Sequence, residues 1–437
     1  MNVLFAESPK CFRKIAVRFL CLFFVTAIFS GGNISFLHTS DFAAHSQVFY
    51  QSEAQNVQKT DNIKIQTNEV RKKLWTISLN RKYRSGKIHF VKEGVAHVRM
   101  TKYLKGKPLK INVIEVNTKI NPNVKIAPAT AGSKLAKKAA ILSISQKSNA
   151  FAAVNGSYFK PQTGVPLGIL MIDKKLLTGP IYDRAALGIF EDGYKIDRVA
   201  LNANINYLGK TLKVHNINQP RMLSTNVLVY TPDWGNIAPK IPKYGINVVV
   251  QNGKITQKTY SQIQIPTNGF VISAPEKAVN EFFTTPTQNK KLFAKKQNTE
   301  ITLDIKTNPD WDNVKHIIGG GPMLVKDGKI FVDYIDEKLK PIAGKNPRTA
   351  VGYTKDNNLV IVTVDGREEA SVGAGLFEIA EIMRSFECEY AMNLDGGGSS
   401  VMQINGRIVN SPSVKGGIAI SNALVLNCEN TALTYAN

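Results

Sequence analysis

Several apolar runs in this chain stop abruptly at glycine. Ala150–Val154 ends in Asn155-Gly156, Val314–Ile318 in Gly319-Gly320-Gly321, Leu359–Val364 in Asp365-Gly366, and Tyr390–Leu394 in Asp395-Gly396-Gly397-Gly398. Short apolar runs bounded by turn residues read as buried strands. A carboxylate at the end of such a strand is partly desolvated, which raises its pKa towards a useful acid or base range. Consecutive glycines let the backbone turn sharply and let a ligand approach the main chain. Their N–H groups, with the hydroxyls of Ser399 and Ser400, make a candidate anion-binding nest beside Asp395.

A lone Asp-Gly is ordinarily a β-turn. That reading is weak at Asp395, because the following hairpin has its own turn at Asn405-Gly406 and needs no triple glycine. Asp365 gains interest from Arg367 two residues on. Arg348, just before a strand, offers a planar fork for phosphate or serves as a solvated loop cation. Asn155 either holds its amide towards a ligand or caps a turn. Two other stretches echo Gly396–Ile408: Gly319–Ile330, and more distantly Gly168–Leu177. Each reads as one reused hairpin unit.

The rest of the chain supplies context. Lys10, Arg13, Lys14 and Arg18 precede the apolar run Phe19–Phe29, as in a secretory signal. Cleavage after Ala44-His45-Ser46 would remove residues 1–46; an uncleaved anchor that attaches the chain to a membrane is the alternative. Either way the chain is expected to be exported. Residues 47–85 are expected to form a polar lead-in and 86–430 the main domain, interrupted by a variable strand and loop insertion over 200–310. Lys134–Ser148 and Gly375–Phe386 have helical spacing. Cys388 and Cys428, the cysteines left after cleavage, are either a disulfide or two buried thiols.

Of 437 residues, 43% are hydrophobic, enough for a large core, and the net charge is +23. Such a balance suits solubility and anionic partners, but no stretch has the density of a nucleic-acid-binding arm, so no nucleic acid is expected. There is no phosphate-binding loop with its lysine and no Gly-x-Ser-x-Gly elbow. Histidines are isolated, which argues against a His-dependent triad or a His-rich metal site; His316, close to Gly319, is the one to watch. The sequence requires no cofactor, and a divalent cation held by Asp365 and Asp395 is the competing chemistry.

Taken in order, the motifs Ala153–Phe159, Gly319–Met323, Pro347–Gly352, Val364–Arg367, Ser371–Leu376 and Asn393–Ser400 resemble the phosphodiester glycosidase family, over roughly Gly94 to Asn427. The resemblance implies an α/β fold of α+β-like character: a mixed, largely antiparallel sheet with flanking helices, the strand-rich insertion, and a site on the motif loops. It marks Asp395, Asp365 and Asn155 as catalytic. Arg348, Thr349, Arg367, Gly156, Asn393, Gly396, Gly397, Gly398, Ser399 and Ser400 would bind substrate and its phosphate. No metal ligands are implied. The implied activity is hydrolysis of a sugar-1-phosphodiester in an envelope or exopolysaccharide glycan, with an anionic or phospho-linked glycan as partner. The alternatives are a non-catalytic glycan-binding or assembly protein and a metal-dependent phosphodiesterase.

Overall fold

The computed structural model describes residues 65–104, 106–220, 223–284 and 300–428. The signal or anchor segment 1–46, and the lead-in as far as residue 64, lie outside them. The chain falls into two compact units, Met1–Val70 and Arg71–Asn437, and among the described residues the second carries every strand. Among those residues, too, no helix is long and apolar enough to cross a membrane.

An eight-stranded antiparallel sheet organises the second unit. Its strands, in spatial order, are Lys87–Lys92, Val95–Leu104, Lys107–Val116, Leu359–Val364, Arg348–Thr354, Cys388–Asn393, Met323–Lys326 and Lys329–Ile330. The central strand Leu359–Val364 is buried along its whole length because both faces are covered. Val360, Val362 and Val364 enter a core with Leu376, Ile379 and Met383 of the helix Leu376–Ser385, and with Trp75, Leu79 and Tyr83. Leu359 and Ile361 enter the opposite core, shared with Val154, Leu187 and Leu424 of two further five-stranded sheets.

Two expectations need correcting here. Strand makes up 43% and helix 14% of the described residues, so the fold is more β-dominated than α/β: helices cover one face of the large sheet, and other sheets cover its reverse. The lead-in also reaches less far than residue 85. The chain is helical up to residue 82, and Trp75, Leu79 and Tyr83, spaced four apart, form its buried stripe. Lys82 is buried with them, 2.9 Å from Glu115. Glu115 also accepts from the Tyr83 hydroxyl (2.7 Å) and Trp75 Nε1 (3.1 Å).

Only Ile141–Lys147 of the expected 134–148 helix is helical. Before it, Ala139 pairs with Ile420 as a β-bridge, and the Lys134 ammonium donates to the Pro232 carbonyl at 2.7 Å. Tertiary partners thus take over where a helix would have paired with itself. The three echoing segments are all hairpins: Leu170–Ile172 with Lys175–Thr178, Met323–Lys326 with Lys329–Ile330, and Met402–Ile404 with Arg407–Ile408. Each turns on two residues of positive φ, such as Asn405 and Gly406.

The strands Ala200–Tyr207 and Thr302–Asn308 pair antiparallel, with Ala200 opposite Asn308. The intervening chain therefore leaves and rejoins the body at one place. It carries its own five-stranded sheet, with Val248, Val250 and Ile272 among its buried side chains. Cys388 and Cys428 are free thiols; Cys388 lies in the helix-side core, where burial pushes its pKa well up.

Candidate functional site

Asp395 follows the strand Cys388–Asn393, and neighbouring loops fix its backbone. The Leu394 N–H donates to the Thr349 carbonyl (2.8 Å), that of Asp395 to Gly156 (3.1 Å), and that of Gly397 to Pro347 (2.8 Å). Gly397 has φ +62°, and a side chain on Gly396 would stand 3.0 Å from the Pro347 carbonyl oxygen. One glycine supplies left-handed backbone and the other a close approach.

The Asp395 carboxylate accepts the Gly396 N–H at 2.9 Å and is hydrogen-bonded by Ser399. The residue keeps partial exposure, yet burial of its carboxyl raises the pKa from 3.8 to about 6 against those two bonds. The expected anion nest is turned inward. The Gly396 N–H is spent on Asp395 itself, that of Gly397 on Pro347, and those of Ser399 and Ser400 on the carbonyls of Gly396 and Gly397. The loop thus holds its own carboxylate rather than an open cradle. The Ser400 hydroxyl is buried without a hydrogen-bond partner.

Asn155, at the end of the strand Ala152–Asn155, acts as a clamp. Its Nδ2 donates to the Asp395 carbonyl (2.6 Å), and its Oδ1 accepts from Thr349 Oγ1 (2.7 Å) and the Val401 N–H (3.2 Å). Its amide oxygen is thus committed to the protein, and the geometry makes Asn155 and Thr349 positioning residues. Gly156 is obligatory for space: a Cβ there would lie 2.0 Å from Asn422 Oδ1, which accepts the Ser157 N–H.

Asn393 donates through Nδ2 to the Tyr158 hydroxyl (2.8 Å) and the Leu394 carbonyl (2.5 Å), while its Oδ1 is buried without a partner. Tyr158 donates in turn to the Gly321 carbonyl (2.8 Å). Burial, then the neighbouring Asp395 carboxylate, push the Tyr158 pKa well up. The Arg184 guanidinium lies 5.7 Å from the centre of the Tyr158 ring. Neither Tyr158 nor Arg184 was a sequence candidate. Tyr158 stood three residues after Asn155 and could have been found; nothing around Arg184 marked it.

The two candidate arginines divide differently from expectation. Arg348 is 2% exposed. Its Nε donates to the Ala374 carbonyl (2.8 Å), and Nη2 donates to those of Ile342 (2.6 Å) and Gly344 (2.5 Å). That corrects the picture of an open bidentate fork: this guanidinium ties loops together, and its burial lowers its pKa. Arg367 is exposed, with Nη2 donating to Asn346 Oδ1 (2.9 Å). The same nitrogen lies 3.1 Å from where a Gly397 Cβ would be. It is the cation beside the glycine turn.

Asp365 is not brought onto Asp395. Its Oδ1 accepts from Asn410 Nδ2 (2.9 Å) and the Ser411 N–H (3.0 Å), and burial raises its pKa to about 6. Asn410 also reaches the Ser400 carbonyl (3.3 Å), so that side chain links Asp365 to the loop that carries Asp395. Glu337 is a third perturbed acid, raised to about 7 by burial. It accepts the Ala185 N–H (2.9 Å) and the Met323 N–H (2.8 Å), underpinning the Gly319–Pro322 motif. His316 accepts the Asp173 N–H at 3.1 Å and organises that hairpin. Among the described residues, no group of three His, Cys, Asp or Glu side chains is placed to hold a metal.

A strand-end carboxylate of raised pKa, held by its own loop, is a candidate acid/base group. Residues 244–427 match the family model described as phosphodiester glycosidase. A bovine N-acetylglucosamine-1-phosphodiester alpha-N-acetylglucosaminidase is 42% identical over 140 residues, 29% of this chain and 26% of the bovine protein. A prophage-derived uncharacterized protein of Bacillus subtilis is 42% identical over 116 residues, 26% of this chain and 17% of that protein. The chain thus spans about a quarter or less of these relatives' lengths. The crystal structure of a hypothetical protein from Synechocystis shares the fold, with a TM-score of 0.68 at 22% identity over 78% of this chain and 63% of that one. Asn155 and Gly156 lie outside the family match, yet their hydrogen bonds join them to Asp395 inside it.

Proposed function

We propose that this protein hydrolyses a sugar-1-phosphodiester bond, with Asp395 as the acid/base at the anomeric centre. The observation that carries the reading is the Asp395 carboxyl: its pKa of about 6 leaves both protonation states populated near neutral pH. In the reaction, the bond from the anomeric carbon to the phosphate oxygen breaks, water supplies the new hydroxyl, and a phosphomonoester leaves. A phosphate leaves readily, so the demand on a general acid is lighter than in ordinary glycosidases. Arg367, exposed beside Gly397, meets the phosphate and stabilises its charge as the bond opens. Asn155, Thr349 and Asn393 hold the Asp395 turn in place. Arg348 acts one step further back, by fixing the loops around it.

The substrate class is proposed to be a phospho-linked glycan of the envelope or an exopolysaccharide. The N-terminal basic and apolar run supports export to reach it, and the activity for which the bovine relative is named supports N-acetylglucosamine-1-phosphodiesters as the first compounds to try. The test is a screen of sugar-1-phosphodiesters with mass-spectrometric identification of products. Free sugar and phosphomonoester are expected from the wild type and not from Asp395→Asn. Cleavage on the other side of the phosphate, or equal cleavage by both proteins, refutes the assignment.

A further inference from the structure

We infer that the large sheet carries a second binding site, an open groove for a polyanion, on the Asp365 side of the catalytic loops. The groove is a cavity of about 590 Å³ whose lining includes Lys87, Arg99, Lys110, Asn112, Asp365 and Ser411. Its floor follows from strand register. Lys87 lies opposite Arg99, Arg99 opposite Asn112, and Asn112 opposite Thr363. These four residues form one row across four adjacent strands, and side chains in register share a face. Thr101 lies opposite Lys110 in the next row, and the Asp365 N–H donates to the Lys110 carbonyl (3.0 Å).

In the next row the other way along the same strands, Ile114 and Ile361 are in register and buried, while His97 stands opposite Ile114 and His89 opposite His97. The first row grades from two exposed cations, Lys87 and Arg99, to the buried Asn112 and Thr363. Thr363 is fully buried and its hydroxyl has no hydrogen-bond partner. Neither Lys87 nor Arg99 makes an ion pair among the described residues, whereas Lys110 lies 3.8 Å from Glu368. The groove's own acid, Asp365, is met by the donors Asn410 and Ser411. Two uncompensated cations over a concave polar floor attract an anion, and the open groove suits a chain rather than a single group.

Asn410 links this groove to the catalytic loop, since it contacts both Asp365 and the Ser400 carbonyl. A polymer bearing phosphates or carboxylates would therefore lie with acidic units in the groove and the bond to be cut near Asp395. That consequence rests on the proposed hydrolysis; the binding itself does not. The shared chemistry is a repeated anion, and separate probes distinguish its two sources.

The experiment measures binding of linear polyphosphate, of polygalacturonate and of neutral dextran to the full chain by fluorescence anisotropy, at 50 and 200 mM salt. Wild type is compared with Lys87→Gln/Arg99→Gln and with Lys254→Gln/Lys306→Gln, two exposed lysines of the insertion. At least one polyanion is expected to bind, dextran is not, and the groove variant is expected to weaken binding at least tenfold. The insertion variant should lose less than threefold. Preference for polyphosphate or polygalacturonate identifies the anion. Equal losses in both variants would reduce the effect to net charge and overturn the site, as would unchanged binding in a groove variant with a wild-type melting curve. No turnover is needed, so failure here is distinct from failure to cleave a sugar-1-phosphodiester.

Discussion

Replacing Asp395 by asparagine should abolish turnover and, near neutral pH, make the protein more stable. Burial holds the carboxyl at about 6 instead of 3.8, so keeping it ionised in the folded state costs ~3 kcal/mol at about 1.4 kcal/mol per unit. The sign follows from proton counting. Between about pH 4 and 6 the folded protein binds more protons at this site than the unfolded chain, so stability falls as pH rises through that window. Above it the full cost is present; below it both states are protonated and the cost is gone. Asparagine carries no charge, and its Oδ1 can still accept the Gly396 N–H. The expected gain is roughly 1–3 kcal/mol at pH 7.5, shrinking towards zero at pH 4, alongside a loss of about 10²–10⁴ in kcat. Urea unfolding of both proteins at the two pH values, with kcat at pH 7, measures each arm. A variant less stable than wild type at pH 7.5, or a gain that does not depend on pH, would refute the desolvation argument. Retained turnover would remove Asp395 from the chemistry.

Glu337, raised to about 7, and Asp365, raised to about 6, act in the same direction, so the wild-type melting temperature should fall between pH 5 and 7.5; a scanning calorimetry series checks this. Gly156→Ala places a methyl group 2.0 Å from Asn422 Oδ1 and should cost about 1–3 kcal/mol in urea unfolding. Asn155→Ala leaves the Thr349 hydroxyl and the Val401 N–H short of an acceptor; a loss of about 1–3 kcal/mol and a lower kcat with little change in KM are expected. Arg367→Gln should raise KM or lower kcat at least tenfold while leaving the melting temperature within about 2 °C, because the side chain is exposed.

Much of the site could be read from the chain because its residues sit in short contiguous motifs at strand ends. Asn393 to Ser399 is one turn in sequence and in space, and Gly396 and Gly397 are glycines for reasons of local backbone geometry. The partners of that turn were less legible. Arg348 reads as an open phosphate fork until three carbonyls from two separate loops close on it. Asp365 and Asp395 look equivalent as Asp-Gly pairs, yet one binds the Asn410–Ser411 segment and the other its own loop. Arg184 reaches Tyr158 only through the packing of distant strands.

The sequence by itself determined where strands end, which turns are hairpins and which residues can do chemistry, since these depend on periodicity and on backbone freedom within a few residues. The helix carrying Trp75, Leu79 and Tyr83 escaped because its buried stripe is narrow among polar neighbours. Tertiary structure alone decided which face each strand end turns to and which N–H groups are already spent. It also decided that Asn112 and Thr363 stand in one row. Those outcomes depend on strand order and register, which join residues hundreds of positions apart through hydrogen bonds that no local pattern encodes.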